Sequence, residues 1–125
     1  GLPAFGPEAL VVQLAGRPAS FTPWADFVAH LPQAIADCDD SRLADLLTGQ
    51  SASTWQRAAY LIHAGGQPAR GMELLNHRPR GPMPKVSFEH PDVTWRGDGA
   101  PRLWISRYHV VDRLIAPLQR TGGKA

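Results

Sequence analysis

Cysteine is nearly missing from this chain: Cys38 is the single thiol in 125 residues, so no internal disulfide can form. That excludes the stapled secreted mini-domains and suits a reducing compartment. No apolar run approaches the roughly 18 residues of a membrane span, and no charged segment leading into an apolar stretch opens the chain. The expectation is a soluble, cytoplasmic protein with no membrane partner. Neither G-x-G-x-x-G nor G-x-x-x-x-G-K-[ST] occurs, which removes the loops that cradle phosphates. G-x-S-x-G is absent too, and His30, His63, His77, His90 and His109 are scattered without a nucleophile beside them. Cys38 has no C-x-x-C or H-x₃₋₅-H partner, and His90 with Asp92 supplies only two weak ligands. No catalytic residue, metal or cofactor is expected.

Proline and glycine, by contrast, number 12 each, so elements must be short and heavily punctuated. Hydrophobic residues make up 43% and charged ones 19%, which describes a globular chain of one domain, residues 1–125. Charge is unevenly spread. Residues 1–50 hold two basic and six acidic side chains, while residues 51–125 hold eleven basic and five acidic. A basic surface facing an acidic partner is one reading; two solvated faces of opposite sign is the other.

The chain is organised around Ser51 to Gly66, SASTWQRAAYLIHAGG. Trp55, Ala58, Ala59 and Ile62 recur at i, i+3, i+4 and i+7, the face of a helix. Ser51 and Ser53 offer hydroxyls to its first turn, and Gly65 and Gly66 supply positive-φ positions that stop it. Upstream, Gly6-Pro7-Glu8 starts a helix with the apolar stripe Leu10, Val11 and Leu14, and Gly16 ends it. Trp24, Phe27, Val28, Leu31 and Ile35 keep helical spacing, which Pro32 must kink or split. Asp39-Asp40-Ser41 caps a short helix whose Leu43, Leu46 and Leu47 face inward, closed by Gly49. Gln67-Pro68 opens another, with Met72 and Leu75 buried, paired with the organising helix as a hairpin.

Past Asn76 the pattern changes. HRPRGPMP, residues 77–84, excludes regular structure through Pro79, Pro82 and Pro84. Val86 and Phe88 alternate with polar neighbours as a strand, and Val93-Thr94-Trp95 reads as another. Arg96-Gly97-Asp98-Gly99 predicts a hairpin turn, with Leu103, Ile105 and Tyr108 in a third strand. Val111, Leu114, Ile115 and Leu118 return to helical spacing. The fold class is α+β: mostly helical in the N-terminal two-thirds, followed by a small antiparallel sheet and a C-terminal apolar segment.

S-x-W-x-R-x-x-Y-L followed by a glycine turn resembles the C-terminal domain of AbiEi-family antitoxins from bacterial toxin–antitoxin systems. GPEALVVQLAGRP and TPWADFVAHLPQAI are similar to that family's opening. Pro7, Glu8, Ala9, Leu10, Gln13, Arg17, Pro18 and Trp24 carry the first match. Leu46, Leu47, Trp55, Arg57, Tyr60 and Leu61 carry the second, and Val111 and Asp112 the last. The resemblance implies an effector and interaction module, without catalysis, that counters a nucleotidyltransferase-like toxin. It also implies a winged helix-turn-helix in front, for which these residues leave no room, so operator DNA would be reached only through that missing domain.

Arg57, Arg70, Arg78, Arg80 and Lys85 form the candidate partner-binding set, since arginine suits carboxylate and phosphate alike. Trp24, Trp55 and Tyr60 are the expected structural anchors. The alternative function is a stand-alone nucleic-acid-binding transcriptional regulator using the basic Arg57–Lys85 region. No recognition helix rich in Arg, Asn and Gln follows a tight turn, which argues against sequence-specific reading of DNA.

Overall fold

The structure, a computed structural model, describes residues 7–16, 24–88, 103–112 and 114–115. Among the described residues six helices come first: α1 (Pro7–Gly16), α2 (Trp24–Ala29), α3 (Leu31–Ala36), α4 (Asp40–Leu47), α5 (Ala52–Ala64) and α6 (Pro68–Asn76). Three short strands follow among the described residues: β1 (Val86–Phe88), β2 (Leu103–Ile105) and β3 (Val110–Asp112).

Local chemistry sets the helix ends. Pro32 takes the first turn of α3 and the chain breaks at His30, so the Trp24–Ile35 periodicity resolves into two helices. Asp39 caps α4, its carboxylate accepting from Ser41 N at 2.8 Å and Arg42 N at 3.3 Å. Ser51 caps α5 by accepting from Thr54 N. Glu8 opens α1, but its carboxylate does more than complement the helix dipole. It is buried, and it accepts from the backbone N–H of Asp39 at 2.8 Å, tying α1 to the α4 entry.

The expected stripe of Trp55, Ala58, Ala59 and Ile62 is buried, and so are Thr54, Gln56, Tyr60 and Leu61. A helix covered nearly all round sits at the centre of its domain. Accordingly α5 packs against α1, α3, α6, β1 and β3. Leu14, Leu31, Ile35, Leu43, Leu47 and Leu61 fill the helical side of one continuous core, and Phe88, Tyr108 and Val110 fill the sheet side. Each such side chain contributes about 1.5–3 kcal/mol by leaving water.

The two turn glycines differ in purpose. Gly66 has φ +94° and supplies the expected left-handed position. Gly65 does not, with φ −78°. Its need is space: a Cβ there would lie 2.5 Å from Ile35 Cγ1 on α3. Gly71, on α6, likewise lets that helix approach α5, since a Cβ would meet Ala59 O and Tyr108 Oη at 2.8 Å each. On α6 Leu74 joins Leu75 in the core, whereas Met72 is only half-buried. Leu46 was expected inside but is 37% exposed, because Leu43 and Leu47 already take the inward face of α4.

The sheet order is β1-β3-β2. β3 runs antiparallel to β2, with Trp104 opposite Val111, but parallel to β1, with Val86 opposite Val110. The expected antiparallel sheet is therefore a mixed one. Val111 sits in β3 and not in the helical run that its spacing with Leu114, Ile115 and Leu118 suggested. The neighbouring β-branched Val110 and Val111 suit a pleated ladder, and Asp112 ends it by accepting from Leu114 N and Ile115 N. Tyr108 is not in a strand; it is buried in the 106–109 turn. The expected strand at 93–95, the turn at 96–99, Leu118, His90, Asp92, Arg17 and Pro18 lie outside the described residues.

Candidate functional site

Helix α5 reaches the sheet through polar side chains at 56, 57, 60 and 63. Gln56 Nε2 donates at 2.8 Å to Pro84 O and at 2.8 Å to Tyr108 O, joining the proline-rich loop to the β2–β3 turn. Tyr60 Oη donates to Asp112 Oδ2 at 2.5 Å, both groups buried. Burial, and then the carboxylate's charge, push the phenol well above its ordinary range, so it stays protonated and keeps donating. His63 Nδ1 lies 3.1 Å from Tyr108 Oη, with the rings edge to face. Burial and the nearby Arg107 charge hold His63 below the usual imidazole range.

Three of the five candidate partner-binding residues are half-buried and engaged by the backbone. Arg57 is half-buried, donating from Nε to Ser87 O at 2.9 Å and from a terminal nitrogen to Ala15 O at 3.2 Å. It bolts α1 and β1 to α5. Arg70 pairs with Asp40 at 2.6 Å and donates to Ile35 O and Cys38 O, which closes the turn between α3 and α4. These two reach different neighbours and do not form one patch. Arg78 is also half-buried and donates to Leu75 O, capping the end of α6.

Arg80 and Lys85 are different. Both are exposed on the 77–85 loop. That loop is held, because Met83 O faces His109 Nδ1 at 3.0 Å and Val86 N donates to His109 O at 2.9 Å. His109 adopts φ +54°, a left-handed conformation that reverses the chain directly before β3. Beside it stands Trp104 of β2, 48% exposed, with its ring 5.6 Å from the His109 ring. Lys85 Nζ lies 6.0 Å from the Trp104 ring centroid. The outer side of the sheet thus carries an aromatic ring among cations.

Of the expected anchors, Trp55 and Tyr60 are 4% exposed each and belong to the core. Trp24 opens α2, and its side chain lies outside the described residues. Trp104 and His109 were not among the sequence candidates. The signal was there in the sequence: a strand reading through 103–105 leaves Trp104 on the phase opposite Ile105, where a polar residue is expected.

The model of the AbiEi antitoxin C-terminal domain matches residues 1–64, half of the chain and all of α1 to α5. The chain belongs to this antitoxin family. It is a regulatory family and not a catalytic one, and its role is that of an antitoxin in a toxin–antitoxin system. The chain is also similar to a solved structure, the Rv2827c protein from Mycobacterium tuberculosis, with 48% sequence identity and a TM-score of 0.84. That likeness covers 95% of this chain and 39% of the other, so the chain spans well under half of that protein's length. No curated protein matches. Among the described residues no helix is long and apolar enough to cross a membrane, and no group of three potential metal ligands comes together.

Proposed function

We propose that this chain is the effector and interaction domain of an antitoxin that counteracts a nucleotidyltransferase-like toxin in the cytoplasm. Residues 1–125 act as one unit, normally coupled to a DNA-binding autorepressor segment through which operator DNA is reached. Membership of the AbiEi antitoxin family is the observation that carries this reading. The role needs no catalytic residue of the domain's own; it needs a surface. Of the basic candidates, the exposed Arg80 and Lys85 are the ones presented outward, while Arg57, Arg70 and Arg78 are engaged by backbone carbonyls elsewhere in the fold.

The test is rescue. Cells expressing a nucleotidyltransferase-like toxin from the same operon should recover growth when this chain is co-expressed, and the two proteins should co-purify, if the operon encodes one. Unrelieved toxicity, with the chain present and folded, would remove the antitoxin reading for this domain. A salt-dependent affinity for nucleic acid, with no effect on toxicity, would instead favour a stand-alone regulator.

A further inference from the structure

We propose that His63 and Tyr108 form an acid-sensitive latch, which holds the 106–109 turn and the 77–85 loop against α5 until His63 takes up a proton. The latch needs no partner protein to operate. What each histidine faces sets it apart from its neighbours. His77 Nδ1 lies 2.8 Å from Glu73 O, and His109 Nδ1 lies 3.0 Å from Met83 O. A carbonyl oxygen only accepts, so both rings carry a proton on Nδ1, and a second proton on Nε2 leaves those bonds intact. His63 is different. Its Nδ1 lies 3.1 Å from the Tyr108 hydroxyl, which can donate or accept.

Burial decides the direction of that bond. Tyr108 is fully buried, and burial lifts its phenol above the ordinary range, so the hydroxyl keeps its proton. Among the described residues His63 Nδ1 is its only hydrogen-bond partner. Gly71 of α6 presses close, since a Cβ there would lie 2.8 Å from Tyr108 Oη and 3.1 Å from His63 N. Neutral His63, protonated on Nε2, accepts from Tyr108 and satisfies it. Protonated His63 can only donate from Nδ1, which strands the Tyr108 proton without an acceptor. A buried donor left unpaired is costly, so the extra proton and the closed turn oppose each other.

The surrounding charges act in the same direction. Among the described residues Tyr60 faces His63 from α5, with the rings 6.2 Å apart, and Tyr108 and Arg107 face it from the turn. α6 approaches through the uncharged Gly71, and the Asp112 carboxylate of β3 is engaged by Tyr60 and two backbone amides. Arg107 thus sets a like charge against an imidazolium. In the closed turn His63 binds a proton less readily than at its ordinary value of about 6.5, and in a released turn it regains that value. The closed form is therefore favoured above that pH and loses ground as pH falls below it. Release spreads, because Gln56 Nε2 holds Tyr108 O and Pro84 O together and Val86 N donates to His109 O. The loop carrying Arg80 and Lys85 loses its fixture with the turn.

The experiment follows amide hydrogen exchange of the full chain by NMR at about pH 7.5 and about pH 5.5, either side of the ordinary imidazole value, corrected for intrinsic rates. Protection of the Val86, Tyr108 and His109 amides should fall at least ~5-fold in acid, while that of Leu14 and Leu43 holds. Nitrogen shifts of His63 should show a bare Nδ1 at the higher pH. His63→Asn places an amide oxygen near the Nδ1 position that accepts without titrating, so its acid loss should shrink to within ~2-fold. Tyr108→Phe removes the stranded hydroxyl and should shrink the loss similarly. Should the asparagine variant fold poorly, the phenylalanine variant carries the comparison, and the His63 nitrogen shifts test the parent without either. Equal protection of the parent at both pH values would overturn the latch. So would an acid loss that survives undiminished in either variant, or a His63 Nδ1 found protonated at the higher pH.

Discussion

The helical side and the sheet side of this molecule treat cations in opposite ways. On the helical side Arg70 is drawn inward, its guanidinium divided between Asp40 and two backbone carbonyls, and Arg42 lies 3.7 Å from the buried Glu8. On the sheet side Arg80 and Lys85 stand exposed on a loop whose backbone is fixed. The same residue types thus do structural work where an orphan carbonyl or carboxylate is within reach, and remain available where none is. Net charge alone cannot distinguish the two uses; the partners within reach can.

That contrast can be broken by substitution, starting with the core that supports both sides. Trp55→Ala should cost roughly 3–5 kcal/mol, because a nearly fully buried ring leaves a cavity beside α4 and α5. A melt within a degree or two of the parent would contradict its role. Arg70→Ala should cost about 1–3 kcal/mol, since Ile35 O and Cys38 O lose their donor and Asp40 its partner. The exposure of Asp40 keeps the figure toward the lower end. Equal stability in a denaturant titration would show that the helical cations are as dispensable as the others. Arg80→Glu combined with Lys85→Glu should change stability by no more than about half a kcal/mol while abolishing rescue of toxin-expressing cells. Full rescue by that double variant would return both residues to a solubility role.

Much of the helical side is legible in the amino-acid sequence, because its determinants are local. Asp39 and Ser51 as caps, Pro32 as a break and the α5 stripe all act within one turn of themselves. Gly65 shows where this ends: its glycine character is plain in the sequence, but the reason, contact with Ile35, depends on a helix thirty residues away. The sheet is less legible for the same cause. Val111 has helical spacing with Leu114 and Ile115, and its ladder partners Trp104 and Ser87 outweigh that preference. The basic candidates were legible only as a cluster. Arg70, Arg78, Arg80 and Lys85 lie close in sequence, with Arg57 expected near them through the helix hairpin; Arg80 and Lys85 are exposed, whereas Arg57 and Arg70 are taken up by backbone carbonyls elsewhere in space.

The parallel pairing of β1 with β3 has a kinetic consequence. A hairpin can zip from its turn, but two strands running the same way need a crossover closed first. The α5–α6 pair is local and can assemble early; Val86 finds Val110 only after the intervening chain has been gathered in. The sheet then docks onto an α5 that already exists, with Gln56 and Tyr60 waiting for partners that arrive last. Destabilising changes at those late contacts should speed unfolding and leave the folding rate nearly untouched in a chevron plot. Trp104 and Lys85 come together only at that final step, so their contact marks the finished molecule and is absent from nascent ones.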